Sequence, residues 1–380
     1  MPQARRVVVA MSGGVDSSLT AALLKEQGYD CIGITMQIWP SFLPAAGEAE
    51  GGCCSLSAVE DARRVAMKLG IPYYVLNFQG VFTEKVIDKF CEEYTRGRTP
   101  NPCIECNREI KFAALLQKAR ELDAEYVATG HYARIGFDAR YGRYTIRRAL
   151  DLAKDQSYVL YNLTQDQLRH ILMPLGEYTK VQTRRMAAER KMAVADKPDS
   201  QEICFVPDND YRGFLKFYWP PAAKPGKIVD LKGRELGTHE GVAFYTVGQR
   251  KGLGISSREP LYVVALDPAR NEVVVGSNEA VFARRLKASH NNFVAVESLT
   301  EAMEVTAKIR YNIKPAPAVI EPVEGGRVLV TFKDPQRAVT PGQAVVYYQG
   351  DLLIGGGVIE GSGPDVPDAE GERAAGFAGR

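Results

Sequence analysis

The sequence predicts an α/β protein, with an N-terminal doubly wound parallel sheet followed by two small β-rich domains. Three observations carry that expectation. Strand and helix patterns alternate from about residue 5 to residue 135. Beyond residue 205 the texture changes to short β-rich runs separated by Gly, Pro and Asn. The length of 380 residues also exceeds what one hydrophobic core usually organises. The boundaries expected are 1–208 for the first domain, with a helical basic segment at about 163–192 inside it, then 209–275 and a barrel-like 276–360. Residues 361–380, with Phe377 as their one large apolar side chain, are expected to be a disordered tail.

The elements follow in order. "RRVVVAM" (5–11) is a short buried strand, then a Gly-rich turn leads into the helix "SSLTAALLKEQG", which Gly28 ends. "CIGITMQIW" (31–39) is the next strand. The helix at 57–70 has Ser57 and Glu60 in capping-box spacing and closes on Gly70. "PYYVLNF" is a strand, "VFTEKVIDKFCEEYTRG" and "NREIKFAALLQKARELDA" are helices, and "YVATGHYARI" is one further strand. This alternation argues for parallel strands with helices on both faces. The later runs "KIVDLKG", "PLYVVALDP", "NEVVVGS", "EVTAKIRY", "RVLVTF", "QAVVYYQG" and "LLIGGGVIE" argue for β modules.

Apolar residues at 45% and charged residues at 25% are ordinary globular values, and a net charge of +2 demands no polyanionic partner. No apolar run approaches the ~20 residues that span a bilayer, and no secretory signal opens the chain. Seven cysteines in such a chain point to a reduced, cytoplasmic protein whose thiols are reactive, metal-bound or buried.

"VVVAMSGGVDSS" is the strongest local signal. Adjacent glycines at a strand-to-helix turn let the backbone approach an anion, and the helix beyond offers free N–H groups. Ser12, Ser17 and Ser18 add hydroxyls. Neither a Walker loop nor a dinucleotide turn is spelled here. "SGGVDS" resembles the PP-loop of ATP pyrophosphatases, which cleave ATP to AMP and pyrophosphate by adenylating a substrate. The resemblance implies ATP contacts from Ala10, Met11, Ser12, Gly13, Gly14, Val15, Asp16 and Ser17, with Asp16 acting through Mg²⁺. It also implies adenine contact by Met36 and a pocket-lining Gly130.

"RTPNPCIECNREIKF" (98–112) holds Cys103 and Cys106 in a CxxC spacing that suits half a metal site, a redox pair or a catalytic centre. Pro100 and Pro102 favour an extended backbone there. Cys204 lies in "DKPDSQEICFVP", where Asp199 and Ser200 form a turn and Ile203, Phe205 and Val206 a short strand. The motifs "GRTPNPCIECNREIKF", "ATGHYAR", "KDQSYVL" and "DSQEICF", in this order behind SGGVDS, are similar to the tRNA-specific 2-thiouridylases over residues 5–358.

That resemblance implies an enzyme replacing the 2-oxygen of a tRNA wobble uridine with sulfur. ATP adenylates the oxygen, AMP becomes the leaving group, and a sulfur nucleophile attacks the adjacent carbon. It implies that Cys204 carries a persulfide, that Cys106 attacks it or closes a disulfide with it, and that Asn101, Pro102 and Cys103 meet the target base. Many relatives carry aspartate where this chain has Cys103, so three thiols offer a second route: Cys103, Cys106 and Cys204 as ligands of a four-iron cluster holding hydrosulfide. A zinc site would need a fourth ligand, and no His is near in sequence. Cys31 and Cys91 read as core residues; Cys53 and Cys54, in a Gly-rich loop, have no assigned role.

Basic clusters at 140–148, 180–191, 284–287 and 308–314 interleave with Tyr and suggest a phosphate-tracking surface. By the same resemblance His131, Lys154, Asp155, Gln156, Arg310, Tyr311 and Gln343 contact the tRNA, chiefly its anticodon loop, and a donor protein or sulfide supplies the sulfur. The alternative is a PP-loop synthetase adenylating a small molecule, which needs neither three thiols nor a β-rich extension with basic patches.

Overall fold

The computed structural model describes residues 4–40, 56–198, 203–206 and 209–362. Cys53, Cys54, Asp199, Ser200 and nearly all of the expected tail lie outside them. The described residues form two compact units: those up to 87, within 102–209 and at 351–353, and those at 88–101, 210–350 and 354–362. Residues 88–101, inside the stretch expected to form the first domain, thus belong with the second unit.

The first unit is built on a five-stranded parallel sheet. Its strands are β1 (Arg6–Ala10), β2 (Asp30–Gln37), β3 (Tyr73–Asn77), β4 (Tyr126–Ala128) and, after the hairpin β5 (Ala133–Asp138) and β6 (Arg143–Arg148), β7 (Ile171–Leu172). Their order is β3-β2-β1-β4-β7. Val7, Val8 and Val9 of β1 are fully buried, as a central strand covered on both faces requires. The chain winds one way from β1 to β2 and the other way to β4, so the crevice at the carboxyl ends of β1 and β4 is the topological switch point.

Helix α1 (Val15–Glu26) follows β1, and α2 (Leu56–Leu69) follows β2. Ser57 lies inside α2 rather than at its cap, because the chain is already helical at Leu56. The single strand expected over 126–135 is two strands in different sheets, broken at the turn Thr129–Tyr132. The basic stretch 163–192 is only partly helical; its longest helix is Lys180–Glu189, entered through a Thr179–Gln182 capping box. β5 pairs in a hairpin with β6, which the sequence showed only as a basic cluster, and β6 pairs in turn with residues 352–353.

The second unit holds the helix Lys89–Thr95 against the helix Tyr211–Tyr218: the Tyr94 and Tyr211 rings stack at 5.0 Å, and the Tyr218 hydroxyl donates to Asp88 at 2.6 Å. A four-stranded sheet contains β8 (Gly226–Asp230), β9 (Glu235–His239), β10 (Tyr262–Asp267) and β11 (Glu272–Gly276), ordered β10-β11-β8-β9. The strands β12 (Phe282–Phe293), β13 (Met303–Lys308), β14 (Ala316–Val323), β15 (Arg327–Arg337), β16 (Ala344–Gln349) and β17 (Leu352–Ser362) follow in the order β12-β15-β14-β13-β16-β17. Pairing of β12 with β17 closes them into a barrel, which removes free edges. Since β17 runs to Ser362, the first two residues of the expected tail are strand. Among the described residues no helix is long and apolar enough to cross a membrane.

Candidate active site

The Gly-rich turn occupies the switch point. Ala10 ends β1, and Met11 is tied to β2 by its N–H on the Ile34 carbonyl (2.8 Å) and by the Thr35 hydroxyl on its own carbonyl (2.6 Å). The Ser12 N–H donates to the Ser17 Oγ at 3.1 Å, and that hydroxyl reaches the Gly14 carbonyl at 3.2 Å, closing the turn on the first turn of α1. Gly13 has φ +70°, and a Cβ on it would run into the backbone carbonyl of Ala58. Both facts demand glycine there. Val15 is buried beneath the turn and starts α1, whose N-terminal N–H groups make an anion-binding end.

Gly130, at the end of β4, faces this turn: a Cβ on it would come within 2.8 Å of the Asp16 carbonyl carbon and of the Ser17 nitrogen. Asp16 receives two further elements. The Tyr132 hydroxyl donates to Asp16 Oδ1 at 2.8 Å, and Lys180 Nζ lies 2.8 Å from both carboxylate oxygens. Tyr132 is 3% exposed and Lys180 8%. Neither was singled out by the sequence. Tyr132 sits within "ATGHYAR", but Lys180 carries no signal beyond opening the basic cluster 180–191. Met36 is half-buried at the end of β2, paired in register with Leu76. Carboxylate and hydroxyl oxygens around this turn are the donor chemistry that suits Mg²⁺ bound with a nucleotide's phosphates.

The backbone around the CxxC is helical, not extended. Pro102–Glu105 is a helical turn that runs on through a wider π-helical stretch, Cys106–Ala114, into Leu115–Glu121. Pro102 opens the helix, where its missing N–H costs nothing. Cys103 and Cys106, three residues apart on a helix, therefore share a face. Cys103 is exposed and Cys106 half-buried, while the next residue, Asn107, points inward and donates to the Val159 carbonyl at 3.2 Å.

Cys204 is half-buried in an irregular turn, and the strand expected around it does not form. Phe205 is buried instead, edge-on to Phe82 at 5.7 Å, so a packed aromatic rather than a ladder fixes the turn. Cys31 and Cys91 are core residues; burial pushes their thiols up to about 11 and about 12. Among the described residues no three His, Cys, Asp or Glu side chains gather into a metal-holding group, so Cys103, Cys106 and Cys204 do not form a ready cluster site.

The residues expected on the tRNA mostly have partners within the fold. Asp155 is buried and accepts from the Ala149 N–H, the Ser157 N–H and hydroxyl, and Arg148 Nε. Gln156 accepts from the Tyr132 N–H at 2.9 Å, and Lys154 is half-buried on the preceding turn. His131 is buried against Phe112, its Nδ1 2.7 Å from the Thr129 hydroxyl; burial first, then Lys111, holds its pKa well below the usual imidazole value.

In the second unit Arg310 Nη2 bonds the Val247 and Ala338 carbonyls and the Thr340 hydroxyl, and Lys308 lies over the Tyr311 ring at 5.3 Å. Gln343 Nε2 donates to the Thr99 carbonyl at 2.9 Å, close to half-buried Asn101. The basic clusters are similarly engaged: Arg147 with Asp138 and Asp351, Arg148 with Asp155, Arg190 with Glu26, Arg284 with the Phe332 carbonyl. A run of cations in sequence does not reveal the carboxylates that the fold brings to it.

Three family models match consecutive parts of the chain. They are described as tRNA methyl transferase HUP domain (residues 5–208), tRNA methyl transferase PRC-barrel domain (212–277) and aminomethyltransferase beta-barrel domain (283–359). A protein of Desulforamulus reducens named tRNA-specific 2-thiouridylase MnmA is 60% identical over 356 residues, covering 94% of this chain and 97% of that one. A protein of the same name from Carboxydothermus hydrogenoformans is 59% identical, with 94% and 98% covered. A third, from Heliobacterium modesticaldum, is 60% identical, with 93% and 92% covered.

Proposed function

The chain belongs to the tRNA-specific 2-thiouridylase family, and from that premise we propose how its residues divide the work of thiolating uridine in tRNA at the expense of ATP. The descriptions of two matching models speak of methyl transfer, but relatives of about 60% identity along nearly the whole chain are thiouridylases. A turn built to cradle phosphates suits adenylation by ATP, and semi-exposed thiols suit sulfur transfer. The small-molecule synthetase reading is not favoured, because this kinship extends through the β-rich unit as well.

The turn Ser12–Ser17 holds the ATP phosphates against the N-terminus of α1, with Met36 at the adenine and Gly130 closing the floor. Asp16 holds Mg²⁺ when it is bound with the nucleotide, and the metal supplies charge neutralisation on the phosphates. The 2-oxygen of the wobble uridine then bonds to the α-phosphorus, and the bond to pyrophosphate breaks. A persulfide on Cys204 attacks carbon 2, and AMP leaves with the oxygen. Cys106 attacks the Cys204 sulfur; the bond between that sulfur and the transferred one breaks, giving 2-thiouridine and a Cys106–Cys204 disulfide. Two electrons pass from the cysteines to the transferred sulfur, so a dithiol reductant must reset the pair and a persulfide-bearing donor must reload Cys204.

Asn101, Pro102 and Cys103 face the target base; His131, Lys154, Asp155 and Gln156 in the first unit, and separately Arg310, Tyr311 and Gln343 in the second, serve tRNA binding, several of them by holding backbone in place. A tRNA substrate and thiols that must cycle through reduction support a cytoplasmic reaction. The observation that carries this reading is the contrast in exposure: Cys103, Cys106 and Cys204 reach the surface of the unit that holds the phosphate turn, while Cys31 and Cys91 are sealed in cores.

The deciding experiment is mass analysis of tRNA nucleosides after incubation with ATP, Mg²⁺ and a persulfide donor. Wild-type protein yields 2-thiouridine and Cys204→Ser yields none; equal yield from both removes Cys204 from the mechanism. The cluster route has one observation in its favour, cysteine at position 103, and anaerobic purification with iron and sulfide analysis separates the two routes. Iron-free protein thiolating at full rate supports the persulfide.

A further inference from the structure

Lys180 has no part in the motifs, yet the fold gives it an unusual position. A lysine ammonium is seldom buried, since removing it from water is costly unless a charge pairs with it. Here it is 8% exposed and grips both oxygens of Asp16 at 2.8 Å, in the first turn of α1 and directly after the glycine turn. Its backbone is fixed twice: Thr179 caps its helix, and the Lys180 N–H donates to Asp151 Oδ2 at 2.9 Å. Tyr132 holds the same carboxylate from the other side, with its ring 5.7 Å from the ammonium. A simple tie between helices could use any polar pair; a preorganised cation at the mouth of an anion-binding turn has a specific electrostatic use.

We propose that Lys180 is the cation that receives the pyrophosphate of ATP. Without nucleotide it rests on Asp16. With ATP bound, the ammonium turns to the β- and γ-phosphate oxygens and bears the negative charge that grows on pyrophosphate as its bond to the α-phosphorus breaks and the uridine oxygen bonds there. The leaving group departs with the electron pair of the broken bond, and no oxidant or reductant is involved. This inference rests on the reading of ATP cleavage to AMP and pyrophosphate given above.

The test compares Lys180→Gln and Lys180→Arg with wild type in calorimetric binding of pyrophosphate and of AMP, in the KM for ATP, and in thermal melting. In Lys180→Gln, pyrophosphate affinity and the KM for ATP worsen about ten- to hundredfold, the loss of one charge-assisted contact. AMP, which lacks that group, binds within about twofold of wild type. Lys180→Arg keeps the charge but changes its reach, and loses about three- to tenfold for pyrophosphate with AMP again unchanged. Should the glutamine variant not fold, the arginine variant carries the test. Unchanged pyrophosphate affinity, or equal loss for pyrophosphate and AMP, overturns the proposal and leaves Lys180 a structural tie. Failure of the parent reading is separate: wild-type protein would then release no pyrophosphate from ATP in the presence of tRNA.

Discussion

Gly130 lies so close to Asp16 that a methyl group added to the glycine would sit 2.9 Å from the Asp16 Cβ. The two residues come from different strand ends, β4 and β1, and their contact brings the halves of the switch-point crevice together. Gly130→Ala must therefore displace the first turn of α1. Overpacking of this kind costs about 1–3 kcal/mol. The KM for ATP should rise at least severalfold while tRNA affinity is kept, as steady-state kinetics and filter binding will report. An unaltered KM would mean that the turn does not hold the nucleotide.

Alkylation should sort the thiols. Burial raises Cys31 to about 11 and Cys91 to about 12, so at pH 8 almost no thiolate is present at either, and neither is reachable. Iodoacetamide on native protein, mapped by peptide mass spectrometry, should label Cys103, Cys106 and Cys204, and should reach Cys31 and Cys91 only after denaturation. Rapid native labelling of Cys31 or Cys91 would contradict the packing described.

Asp155 should behave as scaffold. Replacing it with Ala removes four hydrogen bonds and leaves Arg148 without its carboxylate. Breaking a buried ion pair costs about 3–5 kcal/mol, a loss that urea denaturation resolves. A variant of wild-type stability with weakened tRNA binding would return Asp155 to a direct contact role.

His131 predicts an acid sensitivity with a definite sign. Burial holds its folded pKa well below the unfolded value of about 6.5, so below that pH the unfolded chain takes a proton that the folded protein refuses. Its contribution is present above pH 6.5 and is lost as pH falls toward the folded pKa. His131→Gln should flatten the stability profile between about pH 7 and 5 in urea titrations. His239, whose pKa is also lowered by burial, is unchanged in both proteins and cancels in the difference.

Sequence pattern located the Gly-rich turn between β1 and α1 because its reasons are local: a buried strand, two glycines and a helix start follow one another within a dozen residues. Period also separated the parallel sheet from the β-rich part. It missed β6, β9 and β12, whose residues are polar or charged enough to read as loops or basic clusters, β14, which carries Pro317 and Pro322, and β7, inside a stretch read as helical. In the hairpin the arginines are matched by Asp138 and Asp351, the latter more than two hundred residues downstream of Arg147. It also joined β4 to β5, since nothing local distinguishes a continuing strand from one that leaves its sheet at Gly130.

The sequence by itself therefore determined the fold class, the Gly-rich turn, the family resemblance and the thiols worth testing, all of which depend on short-range order along the chain. Only the tertiary structure decided that the CxxC opens a helix, that Asp155, Gln156 and Arg310 bond inward, and that Lys180 meets Asp16 across 164 residues of separation. Charges pair through space in a low-dielectric interior, and which charges meet there is fixed by the packing of whole elements.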